Sequence, residues 1–196
     1  MSPIDPYVDE SIGELRNLLN AQNSEELRER EAQIVFANET TLSLSRIPRL
    51  NNLAEVCAIH RHLFGDIYDW AGEVRTVDIT KNSDGSDFFL IVSKITDAGQ
   101  YVFSELASEN YLKDLPRVEF INRLSYYYDQ LNYIHPFREG NGRTQRAFWS
   151  RVASDAGHVL CWNEVGADEN NEASRVAAND MDLSGLIRMF ERVVQS

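Results

Sequence analysis

His135-Pro-Phe-Arg-Glu-Gly-Asn-Gly-Arg-Thr-Gln-Arg146 brings into twelve residues the parts needed to handle a nucleotide. A His can move a proton, a Glu can hold a divalent cation, two Gly and an Asn admit a phosphate to bare backbone, and two Arg meet the remaining charge. The flanking sequence says where this string sits. Val118, Ile121, Leu124, Tyr128, Leu131 and Ile134 recur at helical spacing and deliver His135 at a helix end. Pro136 disfavours helix at His135. Ala147, Phe148, Val152 and Ala153 then mark a second helix, starting near Asn141 or Gly142 and ending at Gly157. An anion at such a helix start gains about 0.3 to 1 kcal/mol from the dipole alone. Gly140 and Gly142 remove Cβ atoms that would obstruct its approach, and Arg143 and Arg146, three apart, share one helix face.

The string also matches, at every specified position, the signature His-x-Phe-x-Asp/Glu-Gly-Asn-Gly-Arg-x-x-Arg, and so resembles the Fic-domain proteins. The likeness extends to Asp5-Pro-Tyr7, Ile59-His-Arg-His-Leu-Phe64, Asp69-Trp-Ala-Gly-Glu-Val-Arg-Thr-Val-Asp78 and Gly157, and looks like that of standalone bacterial Fic toxins. The resemblance implies a protein adenylyltransferase that moves AMP from ATP to a Tyr, Ser or Thr hydroxyl and releases pyrophosphate. His135 would be the general base and Glu139 the Mg²⁺ ligand. Backbone N–H groups of Gly140, Asn141 and Gly142, with the Asn141 amide, would hold the α- and β-phosphates, Arg143 the β-phosphate and Arg146 the γ-phosphate. Phe137 is read as a structural anchor, while Arg138, Thr144 and Gln145 are assigned nothing catalytic.

Arg75 to Lys81 and Phe88 to Val92 read as two β-rich runs around an Asp-Gly turn. In the Fic fold a hairpin here is a flap over the active site, expected at about 75–92, whose edge docks the target by main-chain pairing. Ile79, Thr80 and Lys81 are the expected docking residues, and Trp70 is expected to pack.

The expected fold is mainly α: a helical bundle with one hairpin flap, in a single domain over residues 1–196. A capped helix starts at Asn23 or Ser24, with Glu26 able to complete a capping box, and runs toward Arg46-Ile-Pro48. Further helices fit Asn51 to Ile67, Lys94 to Ser108, Pro116 to Ile134, Gly142 to Ala156, Glu164 to Ala178 and Leu183 to Val194. His60 and His62, two apart on one helix, point to different faces and make poor joint metal ligands. Two cysteines, Cys57 and Cys161, make neither a zinc motif nor a disulfide framework, and no apolar run approaches the roughly 20 residues of a membrane span. Without a signal-peptide pattern, a reduced, cytoplasmic protein is expected. The net charge of -12 disfavours direct nucleic-acid binding.

Many Fic proteins carry or bind an inhibitory helix, Ser/Thr-x-x-x-Glu-Gly/Asn, whose Glu pairs with the second motif Arg. Here Glu109, Glu139 and Glu169 precede Gly or Asn, but Glu105, His135 and Val165 stand four residues before them. A small separate antitoxin is therefore expected to bring the inhibitory Glu to Arg146. Resemblance to standalone toxins points to DNA gyrase and topoisomerase IV as candidate targets. With no further secretion domain after Ser196, a resident toxin is expected rather than a translocated effector. Two other readings stand beside AMP transfer. A Doc-like kinase would replace the second loop Gly with Lys, whereas Gly142 is present, and a non-catalytic binding module would have no use for His135 and Glu139.

Overall fold

The computed structural model describes residues 5–80 and 89–195. In chain order it contains a ribbon of β1 (Val8–Asp9) and β2 (Glu14–Leu15), then α1 (Ser24–Thr41), α2 (Leu53–Phe64), α3 (Ile95–Ser108), α4 (Arg117–Ile134) and α5 (Asn141–Asp155). After β3 (Val159–Leu160) come α6 (Ala167–Asp180), α7 (Ser184–Val193) and β4 (Val194–Gln195), with β3 antiparallel to β4. The mainly helical expectation holds.

Helix α4 is the axis of the bundle and packs against α3, α5, α6 and α7. Phe120, Ile121, Leu124, Tyr127, Tyr128, Leu131 and Ile134 are all buried, a face wide enough to serve several neighbours. Val118, which the spacing placed on that stripe, is instead 71% exposed. The first turn overhangs the core, and the buried face starts at Phe120.

Helix boundaries follow their caps. Asn23 caps α1 by accepting the Glu26 N–H at 3.0 Å, but the Glu26 carboxylate returns to the N–H of Gln22, one residue outside the expected box. Asn52 caps α2 in the same way, accepting from Glu55 N–H at 3.1 Å. Asn51 sits at φ +48°, so α2 starts two residues later than its periodicity suggested and ends at Phe64. Gly166 precedes α6, which begins at Ala167 rather than Glu164 because Trp162–Glu164 forms a turn of 3₁₀ helix. Helix α5 runs to Asp155, and the expected stop, Gly157, lies two residues beyond it. At φ +86° Gly157 lets its own N–H reach Ser154 O and the next N–H, from His158, reach Ala153 O.

Of the expected flap, Lys81 and the Asp84-Gly85 turn lie outside the described residues. The described arms meet where Phe89 N–H reaches Ile79 O at 3.4 Å, and Thr80 forms a β-bridge. Among the described residues no helix is long and apolar enough to cross a membrane. Both cysteines are free thiols, and burial pushes Cys57 up to about 11, which leaves it a poor nucleophile at neutral pH.

Candidate active site

The site is the junction between α4 and α5. Helix α4 ends on His135, whose φ of 46° and ψ of 64° put a non-glycine residue in the left-handed region. Pro136 alone would favour an extended His135. The left-handed turn is held instead by His135 N–H on Leu131 O at 3.1 Å, with Arg75 N–H on Pro136 O at 2.8 Å. Such a conformation costs on the order of 1 kcal/mol or more and is concentrated at functional sites. The His135 Nδ1 lies 3.2 Å from Asn132 O. A carbonyl only accepts, so Nδ1 donates, and in the neutral ring the lone pair falls on Nε2, the tautomer a general base needs. The Phe89 ring lies over the imidazole at 3.5 Å between centroids.

Five residues on, Gly140 reverses the chain at φ +78° and ψ +6°, and helical geometry begins at Asn141. That succession aims consecutive N–H groups into one concavity suited to an anion. A side chain at Gly140 would place Cβ 2.5 Å from two carbons of the Phe64 ring. At Gly142 a Cβ would meet only Arg146 Nη1, at 3.8 Å, so its glycine clears space over the loop rather than inside the protein.

The Asn141 side chain has a different place from the one expected. It is buried, its Oδ1 accepts Phe137 N–H at 2.9 Å, and its Nδ2 donates to Phe137 O at 2.8 Å. The amide closes the loop on itself, so main-chain N–H groups rather than this carboxamide face the concavity. Phe137 is buried as an anchor, stacked 3.9 Å from His60.

His60 is no ligand but a brace. Its Nδ1 accepts the Gly72 N–H at 2.8 Å, which leaves Nε2 to donate to Glu139 O at 3.0 Å. His62 faces the other way, 2.9 Å from Asn38 O. Burial drives His60 down from 6.5 to about 4. A folded-state value below the unfolded one means stability is fully present above pH 6.5 and lost as pH falls toward 4. Unfolding should therefore take up about one proton near pH 5 to 6 and become about 2 kcal/mol easier between pH 7.5 and 5. Urea titrations across that range check this, and a His60→Gln variant should lose the proton uptake.

Glu139 is partly exposed; its Oε1 accepts Gly140 N–H at 2.9 Å and lies 3.3 Å from Arg143 Nη2. Arg143 is also paired, at 2.6 Å, with Glu31 of α1, and its guanidinium lies 4.8 Å over the Phe64 ring. Glu31 is buried and takes a hydrogen bond from the Tyr68 hydroxyl, a phenol kept protonated by burial and by that carboxylate. Arg146 forms no ion pair among the described residues. It lines a cavity of about 630 Å³ with Ala147, Ser150, Trp162 and Asn170.

Three braces escaped sequence reasoning. Glu31 follows Leu27 and precedes Val35 on the buried stripe of α1, and a carboxylate at a stripe position is the signal that could have revealed it. Arg75 is buried and binds the His135 carbonyl. Asp5 pairs with Arg138 at 2.9 Å and the Tyr7 hydroxyl accepts Thr76 N–H at 3.0 Å, so the N-terminal segment ties the motif loop to the flap base.

Among the described residues no cluster of three or more His, Cys, Asp or Glu stands ready for a metal. One half-exposed carboxylate beside an anion concavity nonetheless suits Mg²⁺, which keeps several waters and takes its other ligands from phosphates.

Comparison with known proteins agrees with this geometry. The chain is 33% identical over 190 residues to the "Probable protein adenylyltransferase Fic" of Salmonella typhimurium, covering 97% of this chain and 92% of that protein. It is 36% identical over 186 residues to protein adenylyltransferase VbhT of Bartonella schoenbuchensis, covering 94% of this chain and 38% of the longer relative. Among solved structures, the N-terminal Fic domain of a VirB-translocated effector from Bartonella quintana with bound ADP superposes with a TM-score of 0.88. That match has 26% identity and covers 96% of this chain and 94% of the other. A profile of the Fic/DOC family matches residues 50–153, the span that runs from the loop before α2 through His135 and the α5 concavity, and the chain belongs to that family.

Proposed function

We propose that the chain is a protein adenylyltransferase that transfers AMP from ATP to a Tyr, Ser or Thr hydroxyl of a target protein. The observation that carries this reading is the pairing of two features at one helix junction. A His135 imidazole with its lone pair on Nε2 stands at the edge of a Gly140–Gly142 anion concavity. The target oxygen attacks the α-phosphorus, its proton passes to His135 Nε2, and the bond from the α-phosphorus to the bridging oxygen breaks to release pyrophosphate. The N–H groups of Asn141 and Gly142 stabilise charge as it develops on the phosphate oxygens.

Glu139 would hold Mg²⁺, whose charge offsets that of the departing pyrophosphate. Arg143 meets the β-phosphate with its fork already set by Glu31, and Arg146 orders the γ-phosphate. The arms of the flap, with Ile79 and Thr80 as docking residues, receive the target segment.

As a toxin the chain would act in the cytoplasm, where ATP is plentiful and thiols stay reduced. Type II topoisomerase subunits are candidate targets. A small antitoxin is the expected restraint, its Glu meeting Arg146, the motif arginine that holds no carboxylate of its own among the described residues.

Incubating the chain with bacterial lysate and ATP labelled at either the α or the γ position tests the reaction. Protein label from the α position alone is the expected result. Label from γ alone would mean phosphoryl transfer, and label from neither would leave a binding module.

A further inference from the structure

Arg75 stands at the foot of the flap with its guanidinium wholly buried. A buried guanidinium ordinarily answers a carboxylate or a phosphate, because removing a charge from water is expensive unless it is paired. Among the described residues the carboxylate paired with it, Asp78, is 3.8 Å from Nη1 and is itself 60% exposed. Arg75 spends its donors on main-chain carbonyls of three separate segments instead. Nε donates to His135 O at 2.9 Å, Nη1 to Val77 O at 2.8 Å, and Nη2 to Leu90 O. Its own backbone N–H takes Pro136 O at 2.8 Å.

Those acceptors are not a random sample of the fold. Val77 and Leu90 are the two arms of the flap, one on each side of its tip. His135 and Pro136 form the left-handed turn that aims the imidazole. Further contacts tie the same pieces together: Leu90 N–H donates to Tyr133 O at 3.1 Å, Val92 N–H to Asp78 Oδ1 at 2.7 Å, and the Phe89 ring covers the imidazole. The two flap arms and the His135 turn therefore share one rigid fork. A lysine could not reproduce it, since an ammonium is a point charge on a flexible stem.

We propose that Arg75 is a positioning residue for His135 that couples the flap to the base, so that a target strand settling on the arms and the aim of the imidazole are adjusted through one guanidinium. The inference rests on the reading of His135 as the base for AMP transfer. It assigns Arg75 no contact with ATP, and the phosphate concavity should be indifferent to its loss.

The test compares the full chain with an Arg75→Lys variant in three measurements. These are the rate of α-label incorporation into lysate protein at varied ATP, the affinity for Mg·ADP by calorimetry, and the ¹⁵N signals of the His135 ring. The variant should run about tenfold slower at saturating ATP, since a small misplacement of a catalytic group is costly. Its KM for ATP and its ADP affinity should stay within about twofold, while the ring signals depart from the Nδ1–H tautomer. A wild-type rate with unmoved ring signals would overturn the proposal. So would a rate loss matched by an equal loss of ADP affinity, the mark of general damage.

Should Arg75→Lys fail to fold, Asp78→Asn decides. Its exposed side chain makes misfolding a small risk, and it removes the carboxylate beside the flap side of the fork. A rate about threefold lower with moved ring signals is then expected, and an unchanged rate and ring overturn the idea. If the wild-type chain transfers no α-label at all, the AMP-transfer reading fails by itself, and the ring signals, which need no turnover, still judge Arg75.

Discussion

Replacing His135 by alanine is expected to lower the rate of AMP transfer by roughly 10² to 10⁴ while leaving nucleotide affinity nearly unchanged, the range a positioned general base contributes. The two halves of this expectation come from different parts of the junction. Proton removal depends on an imidazole whose Nδ1–H is fixed on Asn132 O, so that Nε2 presents its lone pair. Nucleotide binding depends instead on the Gly140 reversal, the first N–H groups of α5, and Arg143 and Arg146. Alanine keeps the left-handed backbone at a similar cost, and the Phe89 ring loses its stacking partner, a change on the order of 1 kcal/mol. Incorporation of α-label measures the first half, and calorimetric titration with Mg·ADP measures the second. A loss under about tenfold would mean that the proton leaves by another route and that His135 is not the base.

The place of the candidate site was legible in the sequence because its residues are local. His135, Glu139, Gly140, Arg143 and Arg146 fall within twelve residues, and a helix-loop-helix junction brings them together without help from the rest of the chain. What holds them in place is not local. Glu31, Tyr68 and Arg75 come from 60 or more residues upstream, and nothing in the spacing of the motif predicts which side chains the fold returns to it. Asn141 shows the same limit at short range. Its residue type suits a phosphate and also suits a loop brace, and only the packed loop shows its carboxamide on Phe137. Helix existence was read correctly from periodicity, whereas helix ends depended on caps. Asn52 and Gly166 moved the starts of α2 and α6 inward by two or three residues. The β1–β2 and β3–β4 ribbons, with two residues per strand, are too short for any alternation to register.

The scaffold beneath the motif has its own weak point, and Glu55→Ala is expected to destabilise the protein by about 3 to 5 kcal/mol, the usual result of breaking a buried ion pair from one side. Glu55 is fully buried on α2. One carboxylate oxygen accepts Arg151 Nε from α5 at 2.7 Å, and the other accepts the N–H groups of Leu50 and Asn51, both at 2.7 Å. Arg151 in turn donates to Ile47 O at 2.9 Å, and its own carbonyl accepts Arg49 Nη1 at 2.8 Å. One carboxylate thus staples α5 to α2 and to the turn that starts α2, where Asn51 is held left-handed. Alanine would leave a nearly buried guanidinium without its carboxylate and two N–H groups without an acceptor. Set against the 5 to 15 kcal/mol that separates a folded domain from its unfolded chain, at roughly 25 °C, the loss is severe. Adding Arg151→Ala removes the stranded charge but not the stranded N–H groups. The double variant should therefore recover about 1 to 3 kcal/mol relative to the sum of the single changes, without returning to wild type. Urea unfolding of the four proteins measures this cycle, and a Glu55→Ala penalty below about 1 kcal/mol would show that the staple is not structural. Arg143 and Arg146 project from the first turns of α5, ahead of Arg151, so the surviving folded fraction of Glu55→Ala should bind Mg·ADP as the wild type does. That separation distinguishes a residue that supports the helix from one that serves the nucleotide.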